Sequence, residues 1–352
     1  MNKPLLMVAA SMALALPLSA QEAEAPPPSP NQIVESAAAD EWIAIPAEDL
    51  LVMTLAPAAD GSDRQVVIQL MSAPFSQGWT QNIRTLARAR WYDGITVNRV
   101  QDNYVVQWGD PGHDNPESGE TETKPLPEGL NVMEESDYTF AHAARTDLDT
   151  ALPALLRRFP ALLEERTELG QMTAEQFAER VRGGLNGDPY AEHTRNLSGW
   201  PVGISYAEGL AWPVHCYGMV GVGRSYSPDT GSGAELYTVI GHAPRHLDRN
   251  IALVGRIISG MEHLSSLPRG SGALGFYTED EADLRTPIAS IRVAADLPQD
   301  ERPAFEYLTT EGETFARYAE ARANRRDPFF IVPAGGADIC NIPVPVREAD
   351  GE

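Results

Sequence analysis

Cysteine, histidine and positive charge are all scarce in this chain, and each shortage excludes a class of chemistry. Two cysteines, Cys216 and Cys340, and seven histidines (113, 142, 193, 215, 242, 246 and 263) are scattered through 352 residues. None falls at metal-ligand spacing, so no resident metal is expected. His215 precedes Cys216, but no third group at recognisable spacing would orient the imidazole, which leaves a structural pair as the plainer reading. Lys and Arg number 27 against 50 Asp and Glu, a net charge of -23. Nucleic-acid affinity rests on neutralising phosphates with basic side chains, so a nucleic-acid partner is excluded, as is an anionic membrane surface. The glycine clusters at 231–233 and 270–275 lack the strand-to-helix setting of a phosphate loop. After the first twenty residues no segment is apolar enough to cross a bilayer.

Those first twenty residues read as a secretory signal: Lys3 supplies positive charge, Leu5–Leu18 is nearly all apolar, and Ser19-Ala20 are small. The expected location is therefore a bacterial periplasm, with no membrane partner once residues 1–20 are removed. Residues 21–30, rich in Ala, Glu and Pro, read as a flexible acidic tether. In an oxidising space Cys216 and Cys340 either form one disulfide, adding ~4 kcal/mol by closing a long loop, or stay as two buried thiols.

With 43% hydrophobic and 22% charged residues, the remainder has an ordinary globular composition. Leu50–Leu55 and Gln65–Leu70 flank the turn cluster Asp60-Gly61-Ser62-Asp63 and read as a hairpin. Trp79, Ile83, Leu86 and Ala87 fall on one face of a helix over 76–90. The run WYDGITVNRVQDNYVVQWGDP, Trp91 to Pro111, then reads as strands Ile95–Val100 and Tyr104–Trp108 around a polar turn at Gln101–Asn103. Alternation places Ile95, Val97 and Arg99 on one face, and Val105 and Gln107 on one face of the next strand. A guanidinium and a carboxamide on a half-buried sheet need partners. Either Arg99 pairs with a nearby acid, or the two form a site for a substrate carbonyl. Residues 113–135, acidic and rich in Pro and Gly, read as an exposed loop. Leu148, Leu152, Leu155, Leu156, Phe159 and Leu163 recur at helical spacing, interrupted by Pro153 and Pro160, and Thr173–Gln176 is a capping-box start. Helical spacing returns near Thr314–Arg325, and Phe329–Val332 reads as a strand.

The Trp91–Pro111 run resembles the central signature of the cyclophilins, the peptidyl-prolyl cis-trans isomerases: Tyr92-Asp93-Gly94, Arg99-Val100, Tyr104, Gln107 and Gly109-Asp110 fall in register with it. The likeness spans Leu50–Pro111, lapses from Gly112 to about Trp212, and resumes at His215–Gly260, where Ala234–Tyr237 match the family's Gly-Ser-Gln-Phe-Phe stretch. It implies a mostly β fold, an eight-stranded antiparallel barrel with two capping helices. On this division the barrel domain is 31–297, with a helical insertion at about 112–212, and 298–352 is a C-terminal extension.

The resemblance implies Arg99 as the catalytic donor and Gln107 as its orienting partner. Tyr104, Val105, Tyr237 and Leu247 would wall a proline pocket, with His246, Glu235 and Arg224 as further substrate-binding positions. Ordinary packing is the plainer alternative for each wall residue taken singly. The pattern departs from the family at Asn98 (usually His), Arg224 (usually Asn), Glu235 (usually Gln), His246 (often Trp), Ile251 (usually His) and Trp108 (usually Gly). Glu235 is placed to pair with Arg99 or Arg224. Two functions fit: an isomerase acting on proline-containing exported polypeptides, without a cofactor, or a peptide-binding module with little turnover.

Overall fold

The computed structural model describes residues 26–142 and 188–349. The signal stretch, the helically spaced leucines at 148–163 and the capping box at Thr173 lie outside the described residues. Strands β2 (Leu50–Leu55) and β3 (Arg64–Leu70) form the expected hairpin. Its turn is held by Asp60, whose carboxylate accepts from the Ser62 amide at 2.9 Å. Helix α2 (Gln77–Arg88) follows, and Trp79, Ile83, Leu86 and Ala87 lie on its buried face. Next come β4 (Thr96–Val100) and β5 (Val105–Gly109), then β10 (Met219–Val222), β11 (Glu235–Val239), β12 (Leu253–Ser259) and β13 (Ile288–Val293). These eight strands form one antiparallel sheet in the order β13-β2-β3-β12-β10-β11-β5-β4. Its two edges meet: Val97 N–H donates to the Thr286 carbonyl at 2.9 Å, and Ile288 N–H to that of Ile95 at 2.8 Å. The barrel is thereby nearly closed, which pairs the backbone groups that an open sheet edge leaves exposed.

Alternate residues of β2 feed two different cores. Leu51, Met53 and Leu55 join Ile68, Val106, Trp108, Val220 and Leu236 inside the barrel. Leu50 and Val52 face outward, yet are buried against Phe305 and Ile45. The cover is a three-stranded sheet, β1 (Trp42–Ala44), β14 (Phe305–Leu308) and β15 (Val346–Glu348), in the order β1-β14-β15. Helices α1 (Pro30–Glu35) and α4 (Glu313–Ala323) pack on it through Ile33, Phe315 and Tyr318. Residues 30–44 thus pair and pack with the C-terminal extension.

The described part of the insertion includes a four-stranded sheet, while the stretches of helical spacing lie among the residues not described. β6 (Phe140–Ala141), β7 (His193–Leu197), β8 (Trp200–Ser205) and β9 (Leu210–Pro213) run in the order β6-β9-β8-β7. Trp200, Val202 and Ile204 pack on Met219 and Leu253 of the barrel's outer face. Cys216 and Cys340 are disulfide-bonded, tying the barrel to the extension. Phe329–Val332, expected as a strand, is irregular, and Phe329, Ile331 and Val332 are largely exposed.

Candidate active site

The site is built on a β-bulge. Along β4, Val97 opposes Trp108 whereas Arg99 opposes Gln107, so Asn98 is an extra residue in the ladder. Val97 and Val100 enter the barrel core, and the consecutive Asn98 and Arg99 both serve the outer face. Strict alternation had placed Val97 beside Arg99; the bulge separates them. On β5 the alternation holds, with Val105 and Gln107 outward and Val106 and Trp108 in the core.

Arg99 is 7% exposed and held at three points. Nε donates to the Leu274 carbonyl at 2.7 Å, Nη1 to Gln107 Oε1 at 3.1 Å, and Nη2 to Gln101 Oε1. Its guanidinium lies 5.2 Å from the Phe276 ring centre and 5.7 Å from that of Tyr104, at cation–π distance. All three hydrogen-bonding acceptors are neutral, and among the described residues no carboxylate pairs with it. Burial lowers its affinity for the proton, and the nearby Glu117 and Glu235 partly offset this. Leu274 adopts φ +56, a conformation costly for a side chain with a Cβ, while presenting its carbonyl to Arg99. The 270–277 loop runs beside β4, with Tyr277 N–H donating to the Asn98 carbonyl at 3.1 Å.

A cleft of about 310 Å³ opens beside this guanidinium. Arg99, Gln107, Tyr104, Val105, Tyr237, Leu247 and Arg224 all line it, as does Ile251. Two expected positions do not. His246 is exposed on the turn before Leu247 and is not part of the lining. Glu235 is fully buried and pairs with neither Arg99 nor Arg224. The reason is the bulge, which brings Asn98 over β11: Asn98 Nδ2 donates to Glu235 Oε1 at 3.0 Å. Burial raises the Glu235 carboxyl to about 7, against the opposing pull of the Asn98, Gln107 and Asn115 amides. Arg224 instead donates to the Asn250 and Ser225 carbonyls at 2.8 and 2.7 Å.

Several cleft residues had no signal in the sequence. Asp114, Asn115 and Glu117 form one wall, although they fall where the family likeness lapses. Behind the opposite wall the Tyr237 hydroxyl is 2.8 Å from His215 Nε2, and His215 Nδ1 is 2.8 Å from Asp248 Oδ1. Arg245 continues this buried chain, donating from Nε to Asp248 Oδ2 at 2.6 Å and from Nη1 to Asp188 at 2.7 Å. Burial lowers the His215 imidazole below its usual value and raises the Tyr237 phenol well above its own. The pair is a neutral support for the Tyr237 ring, not a proton relay at neutral pH. The adjacency of His215 to Cys216 is thereby explained without nucleophilic chemistry.

The cleft, with rings and aliphatic groups among its walls and two fixed arginines, Arg99 and Arg224, in its lining, sits on the outer face of a nearly closed antiparallel barrel. The profile described as cyclophilin type peptidyl-prolyl cis-trans isomerase/CLD matches residues 65–293. The chain belongs to this family, whose activity is peptidyl-prolyl cis-trans isomerisation and whose ligands are proline-containing peptides. Among solved structures, the cyclophilin AquaCyp293 from Hirschia baltica is similar in fold. Its TM-score is 0.54 at 17% identity, over 88% of this chain and 95% of that one. A Cryptosporidium parvum cyclophilin-type isomerase, crystallised in the presence of the dipeptide Ala-Pro, aligns over 69% of this chain and 96% of its own. Its TM-score of 0.34 and 10% identity are too low to argue from. A search of curated protein sequences gives no match.

Proposed function

We propose that the Arg99 cleft isomerises X–Pro bonds of polypeptides folding outside the cytoplasm. The barrier to this rotation, roughly 20 kcal/mol, is amide resonance. A catalyst must favour the twisted bond, in which the carbonyl and the prolyl nitrogen have parted electronically. Val105, Leu247 and the rings of Tyr104 and Tyr237 offer the proline ring an apolar seat that excludes water. Arg99 supplies the donor. A guanidinium has five N–H groups in a rigid fork. Three are engaged by Leu274, Gln107 and Gln101, which fix its plane and leave two for substrate. As the bond twists, the prolyl nitrogen becomes pyramidal and basic, and a fixed donor favours that state over the planar one.

The observation that carries this reading is a nearly buried guanidinium at the cleft, held by neutral acceptors and not neutralised by a carboxylate. Isomerisation of a proline-containing peptide by the wild type and by Arg99→Ala tests it. The expected loss in kcat/KM is about 100-fold, the usual cost of one transition-state donor. Equal rates in the two proteins overturn the reading. The extracytoplasmic setting draws support from the apolar, positively started N-terminus and from the disulfide. Fractionation of expressing cells, with N-terminal sequencing of the mature chain, tests that part separately; a cytoplasmic, uncleaved chain overturns it.

A further inference from the structure

Behind the cleft, Glu235 occupies a place that the catalytic reading leaves unused. It stands on β11 opposite Gly109 of β5, and its side chain has no solvent exposure. Its close partners are amides and backbone, and among the described residues no cation pairs with it. From β4 comes Asn98, bonded to Oε1. Gln107 on β5 and Asn115, just after helix α3 (Pro111–Asp114), offer their amides to the charged form. After β10, Gly223 lies so near that a Cβ there would sit 3.2 Å from Oε2. The charged neighbours are Asp114, which disfavours the ionised carboxyl, and Arg99, which feels its field. Oε2 itself has no hydrogen bond of good geometry, an expensive state for a buried carboxyl oxygen.

Gln107, whose amide favours the ionised carboxyl, also lines the cleft. Its Oε1 accepts from Arg99 Nη1 at 3.1 Å, so its amide nitrogen is the end left for Glu235. An ionised carboxylate only accepts hydrogen bonds, so it can hold Gln107 in one orientation only, nitrogen inward and oxygen toward Arg99. A protonated carboxyl carries a donor of its own and holds an amide N–H about half as strongly. The Gln107 amide is then free to turn, and a turned amide sets nitrogen donors against the guanidinium.

We propose that Glu235 is a positioning residue: its carboxylate holds Gln107 with the oxygen toward Arg99, and loss of its charge loosens the guanidinium and slows isomerisation. The inference rests on the isomerase reading above and adds a pH dependence to it. Burial places the change from neutral to ionised at about 7.

The test is kcat/KM for a proline-containing peptide from pH 5.5 to 8.5, with side-chain 15N shifts of Gln107 and Arg99 recorded on the same full-length protein. For the wild type, activity should fall about tenfold from pH 8 to pH 6, the ionised fraction of one group with its midpoint at 7. Both 15N shifts should follow the same midpoint. Glu235→Gln, permanently neutral but still able to accept from Gln107, should give a flat profile. Asp114→Asn should move the midpoint downward and keep the profile's form, because a repelling charge is gone. A flat wild-type profile, or an unchanged midpoint in Glu235→Gln, overturns the proposal and leaves the isomerase reading standing. Matching shifts without turnover at any pH overturn the isomerase reading instead, while the coupling between the three side chains survives.

Discussion

A carboxyl whose proton is held more tightly in the folded chain than in the unfolded one stabilises the fold at low pH and ceases to do so as pH rises. For Glu235 the folded value is about 7 and the unfolded one an ordinary 4.3 or so, so the contribution is full below about 4.5 and lost by about 7. The charged form thus costs on the order of 3 kcal/mol. Glu235→Gln removes the charge but keeps the shape, so its stability advantage should be larger at pH 8 than at pH 5 by roughly 2 kcal/mol. Urea unfolding of both proteins at the two pH values checks this; a gap independent of pH contradicts it. If the carboxylate also positions Arg99, stability and turnover move in opposite directions over the same interval. Tyr237 has the reverse character. Its hydroxyl serves His215 and not the cleft, so Tyr237→Phe should leave turnover within about twofold. It should cost about 1–3 kcal/mol in stability, because the buried His215 Nε2 loses its partner. Arg99 and Gln107 stood out in the sequence as large polar residues among apolar strand neighbours, a pattern that left an acid partner or a site equally open, and only the family resemblance gave them roles. The burial of Glu235 was not legible, because an acidic residue in a strand ordinarily faces water.

At the scale of elements, apolar runs bounded by turn residues located four of the eight barrel strands, β2 to β5, to within a residue of their observed ends, and period-two alternation then assigned the faces of β4 and β5. It failed at Asn98 because a bulge belongs to the pairing of two strands and leaves no mark in either alone. The insertion sheet did leave a mark. Trp200–Ser205 is a buried apolar run, and Ser198-Gly199 joins it to β7 with positive φ at both residues, a two-residue hairpin turn. Phe329–Val332 shows the converse: β-prone residues with no sheet edge to join remain irregular. The close approach of β10 to the cleft yields a further prediction. A Cβ on Gly221 would stand 2.3 Å from the Tyr237 Cζ and Oη atoms, and His215 behind that hydroxyl prevents the ring from retreating. Gly221→Ala should therefore push the ring into the cleft, raising KM several-fold and destabilising the chain by about 1–3 kcal/mol. Peptide kinetics with parallel denaturation measure both, and an unchanged KM would mean that the ring does not bound the proline seat.

The whole molecule is a barrel wrapped on its outer face by two added sheets, the extension's lying on Leu50 and Val52 and the insertion's beside the Cys216–Cys340 bond. Cys216, Trp200, Leu253 and Ile339 share one apolar cluster, so insertion, barrel and extension converge there. The bond spans 124 residues of sequence, and a closure of that length removes enough unfolded-state freedom to stabilise the fold by ~4–5 kcal/mol. The cleft draws on β4, β5, β11 and their loops, and among the described residues its lining side chains take their hydrogen bonds from the barrel side, the loop after β11 meeting the extension only through Arg245, 3.9 Å from Asp338. Replacing both cysteines by serine should therefore lower the urea midpoint strongly while leaving kcat/KM at 25 °C within about twofold. One link between bond and cleft is His215, whose carbonyl lies 3.8 Å from Cys340 Sγ and whose ring supports Tyr237. A fall in activity that matches the fall in stability would show that this link carries strain into the proline seat. An unchanged midpoint would mean instead that the extension is secured by its own sheet and by the pairing of β1 with β14, and that the covalent bond adds nothing to what packing already supplies.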